Sequence, residues 1–400
     1  MTMETGNGKK KTNAPPLRFP GFEGEWEERN LSDFVTENKE RNIKGYFDKT
    51  NVLSVSGDYG IVNQIELLGR SFAGTRVSQY RVVRHGNIVY TKSPLKEYPY
   101  GIVKANMGDD GIVSTLYAVY KVNGNADEKF IQYYFSLSSR INKYFKPIVR
   151  IGAKHDMKIG NQEVLANRVV FPSLSEQRKI ADFLRLLDER IAAQRVLIGE
   201  MGRLMGGIAE KVYRRKDDFY GKLGDFLEQT SKRNRDGMVK NVLSVSNSVG
   251  FVKQSEQFSE RTVASDDTSG YKIVTKDDFA YNPARINVGS IAQLTTYECG
   301  IVSPMYICFH VRGSLNSTFL ANYFKSNVFL QEVNKRLEGS VRQCLSFESL
   351  CEIFIPVPNI DFQNSVADAL SSLEGKMANE KTVLQLFLKQ KQYLLQKLFI

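Results

Sequence analysis

The sequence predicts an α+β protein in which two similar mixed α/β globules are joined by two long antiparallel helices. Two observations predict this class. An internal repeat covers nearly everything after residue 30, and each copy of the repeat ends in a long heptad pattern of apolar residues. With 400 residues, of which 42% are apolar and 25% charged, the chain can form two or three folding units, each with its own core.

The repeat is visible as residues that recur at a nearly constant offset. The string Asn-Val-Leu-Ser-Val-Ser occurs unchanged at 51–56 and at 241–246. Further along, Gly-Ile-Val-Ser occurs at 111–114 and again at 300–303. Because these strings keep their order in both halves, the chain is predicted to contain two copies of one fold.

Within each copy, the residue patterns predict a mixture of strands and helices. Amphipathic patterns predict helices over 129–144 and 318–337. Short β-branched and aromatic runs, punctuated by Gly and Asn, predict strands at 51–55, 86–90, 112–120 and 301–309. We therefore expect a disordered tail over 1–16, a first globule over 17–173 and a second over 219–358.

After Pro172 and again after Pro358 the sequence becomes heptadic, which predicts long helices over 174–218 and 359–400. At about 1.5 Å per residue, each apolar seam is about 50 Å long, which exceeds the diameter of a globule of about 140 residues. We therefore expect the two helices to pair with each other. The pairing seam is assigned to Leu184, Leu187, Ile191, Ile198, Leu370, Leu373, Met377 and Leu384.

Two features of the heptads differ from a plain apolar seam. Gln194 and Glu380 occupy equivalent seam positions, where a polar group usually costs stability in exchange for register or partner choice. Four glycines lie in the first helix, each costing about 1 kcal/mol relative to Ala: Gly199, Gly202, Gly206 and Gly207. They indicate either a frayed or kinked segment or close approach by the backbone of another protein.

The net charge of +11 favours a polyanionic partner, and double-stranded DNA is the leading candidate. Two loops at equivalent places in the repeat, 91–106 and 282–297, differ in sequence although their flanks match. Arg can pair with guanine and Asn with adenine, so different residues on one framework would read different bases. The candidate DNA-binding residues in these loops are Lys92, Lys96, Tyr98, Tyr100, Lys104, Asn282, Arg285 and Asn287.

A second group of candidate DNA-binding residues precedes the last strand of each globule. It consists of Arg150, Lys154, His155, Arg342 and Gln343. The basic run around the first three would neutralise several phosphates. The alternative interpretation of this run is a solvated helix face.

The sequence lacks the catalytic motifs that are typical of enzymes acting on nucleic acids. It contains no GxxxxGK[ST] phosphate loop, no HExxH and no nuclease-like carboxylate pair. The string Asn282-Pro-Ala-Arg285 lacks the second proline and the aromatic residue of a methyltransferase base clamp. Four cysteines and three histidines show no zinc or disulfide spacing. We predict no catalytic residue, no metal site and no bound cofactor, and the lack of a signal peptide or membrane-spanning run predicts a cytoplasmic protein.

The order of these motifs resembles that of the specificity subunits of type I restriction-modification systems. The resemblance covers the chain beyond the amino-terminal tail. It rests on the twofold repeat, Leu17-Arg-Phe-Pro-Gly-Phe22, Trp26, Leu31-Ser-Asp-Phe34, Tyr281-Asn-Pro-Ala-Arg285, Val288-Gly-Ser290, and Glu176-Gln177 and Phe362-Gln363 before the long helices. The first loop, Lys92-Ser-Pro-Leu-Lys96, departs from the Asn-Pro-x-Arg string of the second.

The resemblance implies that each globule is a target recognition domain and that the paired helices serve as a ruler and as a dock for two methyltransferase subunits. It implies a bipartite DNA site, with one half-site per globule. S-adenosylmethionine, ATP and magnesium would be bound by methyltransferase and motor-nuclease subunits, not by this chain. The alternative is a stand-alone DNA-binding regulatory or architectural protein whose heptads serve only self-association, which copurification with a coexpressed methyltransferase would distinguish.

Overall fold

The computed structural model describes residues 13–94, 98–151, 157–215, 219–247, 249–257, 267–339 and 343–400. Most of the predicted tail, residues 1–12, lies outside this range, as do Lys96, Lys154, His155 and Arg342. The chain divides into two compact units: a first unit of residues 1–193 and 383–400, and a second unit of residues 194–382. Both units mix helices and strands, so the predicted α+β class is confirmed.

The main sheet of the first unit has four antiparallel strands in the order β2-β9-β6-β7. The first unit as a whole contains twelve strands among its described residues: β1 (Glu27–Asn30), β2 (Val35–Glu37), β3 (Leu53–Ser56), β4 (Gly60–Asn63), β5 (Arg81–Val83), β6 (Ile88–Thr91), β7 (Val103–Ala105), β8 (Gly111–Val113), β9 (Tyr117–Val122), β10 (Arg150–Ile151), β11 (Met157–Lys158) and β12 (Arg168–Phe171). Its helices are α1 (Gln64–Leu68), α2 (Glu128–Tyr134), α3 (Ser138–Phe145), α4 (Asn161–Ala166) and the first half of α5 (Leu174–Tyr213). The other strands pair as β1-β12, β3-β4, β5-β8 and β10-β11.

The second unit repeats this arrangement, with a four-stranded sheet in the order β14-β21-β18-β19. Its strands are β13 (Tyr220–Lys222), β14 (Leu227–Thr230), β15 (Leu243–Ser246), β16 (Gly250–Lys253), β17 (Lys272–Thr275), β18 (Phe279–Tyr281), β19 (Ile291–Gln293), β20 (Cys299–Val302), β21 (Ile307–Val311) and β22 (Phe354–Pro356). Its helices are the rest of α5, α6 (Gln254–Gln257), α7 (Ser317–Phe324), α8 (Asn327–Asn334), α9 (Phe347–Cys351) and most of α10 (Ile360–Lys397). The other strands pair as β13-β22, β15-β16 and β17-β20.

The repeated sequence strings have the same structural role in both units. Asn-Val-Leu-Ser-Val-Ser leads into the first strand of a hairpin, β3-β4 or β15-β16. The glycine of Gly-Ile-Val-Ser lies at the start of a strand, as the first residue of β8 and the second of β20, and this strand runs close to the Asn that opens the Asn-Val-Leu-Ser-Val-Ser string. A Cβ on Gly111 would lie 2.6 Å from the Asn51 carbonyl oxygen, and one on Gly300 would lie 3.0 Å from that of Asn241. The glycine therefore recurs because the backbones approach too closely for a side chain.

Four predicted elements are each divided in two, which corrects the sequence interpretation. The helix predicted over 129–144 is α2 and α3, and the helix predicted over 318–337 is α7 and α8. In the second unit Ser326 makes the break, because its Oγ accepts from the amide of Phe329 and caps α8. The strands predicted over 112–120 and 301–309 also divide, because turns closed at Ser114 and Ser303 interrupt them.

The two long helices run antiparallel to each other within each unit. In the first unit Asp188 forms an ion pair with Lys391, and the Arg190 guanidinium lies 4.7 Å from the centre of the Phe387 ring. In the second unit, the Gln194 side chain donates to Glu380, and the guanidinium of Arg215, two residues beyond α5, lies 4.7 Å from the centre of the Phe362 ring. Within each unit, advancing along α5 therefore means going back along α10.

The eight residues of the predicted seam fall into two burial classes. Leu184, Leu187, Ile191 and Leu370 are buried. The other four are half-buried: Ile198, Leu373, Met377 and Leu384. The buried seam residues therefore lie nearer the start of each helix, and the half-buried ones follow them.

A buried glutamine connects each long helix to the globule before it. Gln177 in α5 and its repeat equivalent Gln363 in α10 are fully buried. The Gln363 side-chain amide donates to the carbonyl oxygens of Pro358 (2.8 Å) and Ser314 (3.1 Å), and its oxygen accepts from the amide of Asn316 (2.8 Å). Gln177 makes the matching three contacts in the first unit. The repeated Gln is therefore a structural clamp at the start of each helix.

Candidate nucleic-acid interface

In the first unit, the connection between β6 and β7 carries most of the candidate contact residues. Lys92 leaves the end of β6 half-buried, and its ammonium donates to the carbonyl oxygen of Ile159 at 3.0 Å. Tyr100 is also half-buried, and its carbonyl oxygen accepts from the Tyr90 hydroxyl at 2.9 Å. These bonds hold the loop against the segment that precedes α4.

Lys104 and Tyr98 contact the turn between β3 and β4. The Lys104 ammonium donates to the Gly57 carbonyl oxygen at 2.8 Å. A Cβ on Gly57 would lie 3.2 Å from the Tyr98 ring, so the ring packs against this turn. Burial lowers the pKa values of both Lys92 and Lys104. These two lysines are therefore tied to backbone carbonyls, which sequence patterns do not reveal.

In the second unit, the connection between β18 and β19 is a compact turn built around Asn282. This side chain is buried, and its Oδ1 accepts from the amide of Ala284 at 3.1 Å. The carbonyl oxygen of Arg285 accepts from the amide of Ser290 at 3.1 Å, which closes the turn. Arg285 is exposed and Asn287 is half-buried. Asn282 thus shapes the turn, and Arg285 extends from it.

The described residues link the loop candidates of each unit to the segment that follows the second group of candidates in the sequence. In the first unit Lys92 reaches Ile159, which follows the basic segment around residues 154–158. In the second unit the amide of Leu345 donates to the Pro283 carbonyl oxygen at 3.1 Å, and Leu345 follows the exposed Gln343. Ile159 and Leu345 are equivalent in the repeat. Each unit therefore joins its loop and its late segment at the same place on the same framework.

Two arginines of this candidate interface have exposed side chains. The Arg150 side chain is 83% exposed, and the only partner found for it among the described residues is Glu163, at 4.0 Å. No described residue pairs with the Arg285 side chain. Exposed cations of this kind supply the salt-dependent part of DNA binding.

The sequence interpretation missed a cleft of about 800 Å³ in the second unit. The β15–β16 turn, β19, α7, α8 and α10 line it, and its polar side chains include Asn247, Asn287 and Gln293. Asn322 also lines it, and the Nδ2 of this buried residue finds no hydrogen-bond partner within the described parts of the chain. The signals in the sequence were the repeated Asn-Val-Leu-Ser-Val-Ser string, which ends at this turn, and the candidate Asn287.

The described residues were also searched for metal sites and membrane spans. No three His, Cys, Asp or Glu side chains among them cluster in a way that could hold a metal ion. None of the helices in the described ranges combines the length and the apolar character needed to cross a bilayer.

Comparison with known proteins places this fold. Residues 23–198 match the family model of the type I restriction modification DNA specificity domain. The structure is similar to that of a type I restriction-modification system S subunit from M. genitalium, with a TM-score of 0.58 and 15% identity over 97% of this chain and 99% of that chain. A second similar chain, solved in a study of complex assembly and conformational transition of the type I R-M system, gives a TM-score of 0.53 and 16% identity over 96% and 99%. No curated protein matches the chain.

The fold and the matched model define a DNA specificity domain. Residues 23–198 belong to the family of type I restriction modification DNA specificity domains.

Proposed function

We propose that this chain recognises a bipartite DNA sequence, that each unit reads one half-site, and that the paired helices dock two methyltransferase subunits. Motor-nuclease subunits would join the same complex. The methyltransferase subunits would bind S-adenosylmethionine and modify an adenine in each half-site. ATP and magnesium would serve the motor-nuclease subunits.

One observation carries the proposal for DNA recognition. In both units, a loop that differs between the copies meets a late segment that also differs, on a framework that is the same. A common framework fixes how each unit meets the duplex, while the residues that differ determine which bases are read. Two unlike readers in one chain are what an asymmetric two-part site requires.

Exchange of loop 91–106 tests whether the readers act independently. We expect a chain that carries a different loop here, assembled with its methyltransferase, to modify a sequence changed in one half only. Sequencing that detects methylated adenine in cells expressing each chain gives the result directly. A change in both halves would contradict independent reading.

Arg285→Ala tests the second reader. Loss of one bidentate contact to guanine costs about 1–3 kcal/mol, so binding to the cognate site should weaken by roughly 5- to 150-fold. The control is Arg312→Ala, which removes an exposed arginine of the same unit that lies 4.0 Å from Glu228. Equal loss of affinity in both variants would show that Arg285 contributes only through its general positive charge.

The exposed face of α5 supports the docking proposal. Val196, Leu197 and Leu204 are exposed apolar residues on a helix whose seam faces α10. The glycines of this stretch have space around them, because a Cβ on any of them would meet no described atom within 4 Å. We expect Leu204→Glu to abolish copurification with the methyltransferase. Leu68→Glu, which adds a charge at an exposed leucine of α1, should leave copurification intact.

A further inference from the structure

We propose that the side chains of α5 and α10 are matched to each other. As a result, α5 pairs with α10 of its own chain in preference to α5 of a second copy, and α10 pairs with α5 of its own chain in preference to α10 of a second copy. The pairing specificity itself does not depend on the proposed function. Only its consequence for DNA recognition rests on that function. Pairing of like helices would join two identical readers and would turn an asymmetric address into a palindromic one.

Pairing of like helices is a real competitor because the two helices are copies of each other. Gln194 and Glu380 are 186 residues apart, which is the offset of the repeat in this region, and they contact each other directly. A second α5 would present Gln194 at the position where α10 presents Glu380. A second α5 could therefore take the place of α10 with its apolar seam in the same phase.

The first asymmetry lies at the contact between Gln194 and Glu380. The Gln194 side-chain amide donates to the Glu380 carboxylate at 2.6 Å and to the Glu380 carbonyl oxygen at 3.1 Å. Both side chains are half-buried. Pairing of α10 with α10 would put two carboxylates against each other at this position, whereas pairing of α5 with α5 would place two amides there. The Gln-Glu pair thus disfavours the first of the two like pairings.

The second asymmetry lies in the first unit. Asp188 forms an ion pair with Lys391, and it also accepts a 2.9 Å hydrogen bond from the Tyr133 hydroxyl. The equivalent of Lys391 in α5 is Met205. Pairing of α5 with α5 would therefore replace the cation by a thioether. The carboxylate, whose side chain is only 34% exposed, would keep the tyrosine but lose its charge partner.

The third asymmetry lies where each long helix ends. Phe399 is buried in the aromatic core of the first unit, 5.3 Å from the Phe130 ring. Its equivalent Tyr213 is buried in the second unit, 5.0 Å from the Phe319 ring, and its hydroxyl donates to the Phe319 carbonyl oxygen at 2.8 Å. Pairing of α10 with α10 would lose this hydrogen bond. Pairing of α5 with α5 would bring a tyrosine hydroxyl into the site shaped for phenylalanine.

Each like pairing therefore contains contacts that the native pairing avoids. Two α5 helices leave Asp188 without its lysine and bury the Tyr213 hydroxyl in the core of the first unit. Two α10 helices oppose their Glu380 carboxylates and lose the hydrogen bond of Tyr213. Only the unlike pair satisfies all three positions.

The test places each unfavourable contact inside the full-length chain, where helix pairing is intramolecular. Gln194→Glu reproduces the carboxylate pair of two α10 helices, and Lys391→Met reproduces the aspartate-methionine contact of two α5 helices. Glu380→Gln is the matched control, since it gives the tolerated amide pair. The double variant Gln194→Glu with Glu380→Gln restores the pair in reverse. Urea unfolding followed by circular dichroism measures all four.

We expect Gln194→Glu and Lys391→Met to lower the urea midpoint clearly, Glu380→Gln to leave it nearly unchanged, and the double variant to recover most of what Gln194→Glu loses. Unchanged midpoints for Gln194→Glu and Lys391→Met would overturn the proposal. So would a Glu380→Gln loss equal to that of Gln194→Glu. Light scattering provides a second measurement: the refolded wild-type chain should keep a mass near 45.4 kDa at rising concentration, and a growing dimer would contradict matched helices. None of these readouts involves DNA, so they are independent of the proposed function.

Discussion

Replacing the buried glutamine at the start of α10 should loosen the second unit while leaving the first unit intact. Gln363→Ala removes three hydrogen bonds, of 2.8, 3.1 and 2.8 Å, in a fully buried site. An unsatisfied buried donor such as the Asn316 amide costs about 1–3 kcal/mol. The cavity left by the truncated side chain adds about 1–2 kcal/mol. The expected loss is therefore roughly 2–5 kcal/mol of local stability.

Hydrogen exchange followed by mass spectrometry measures this loss in each unit separately. In Gln363→Ala, peptides around 314–320 should exchange much faster, and the equivalent peptides around 125–131 in the first unit should keep their protection. Gln177→Ala should give the reverse pattern. Gln385→Ala, which truncates an exposed glutamine of α10, should change neither region. Unaltered exchange around 314–320 in Gln363→Ala would refute the clamp.

Three further predictions concern a glycine, two thiols and an ion pair. Gly101→Ala should destabilise the first unit by more than about 2 kcal/mol in urea unfolding, because the φ of +83° and a nearby backbone carbonyl leave no room for a Cβ. The control Gly86→Ala, where φ is +78° but the space around the Cβ is open, should cost only about 1 kcal/mol in the same assay. Iodoacetamide at pH 8 should label the exposed Cys299 and spare Cys308 in the folded chain, because burial raises the pKa of the Cys308 thiol to about 12 and keeps it protonated. Equal labelling of the two thiols would contradict this prediction. Arg18→Met should cost about 1–3 kcal/mol in the same unfolding assay, because it leaves the buried carboxylate of Glu176, in the first turn of α5, without its ion-pair partner. An unchanged free energy of unfolding would show that the Arg18–Glu176 ion pair is dispensable.

The sequence predicts the repeat and the long helices well, because both leave periodic signals. The start of each heptad pattern indicates where α5 and α10 begin. Pro172 and Pro358 support these starting points, because a proline is not tolerated in the interior of a helix. Short turns inside the globules leave weaker signals. The turn at Ser114 interrupts a run of strand-forming residues without a glycine or proline, so β8 and β9 were predicted as one strand.

The candidate interface is predictable only in part. A loop that differs between two otherwise matching copies is visible in the sequence, and it led to Arg285 and Lys92. Whether a lysine ammonium is free or bound to a carbonyl depends on tertiary contacts, as the bond from Lys104 to Gly57 shows. The buried Asn322 amide, which has no hydrogen-bond partner among the described residues, likewise results from packing among distant segments.

The central claim is that two unlike readers on one repeated framework select an asymmetric, two-part DNA sequence. Mapping methylated adenines across the host genome, with and without this chain, tests it most directly. The account predicts methylation at a sequence of two short, different parts separated by a spacer of constant length, which disappears when the chain is deleted. Methylation at an uninterrupted or palindromic sequence, or methylation that persists without the chain, would contradict it.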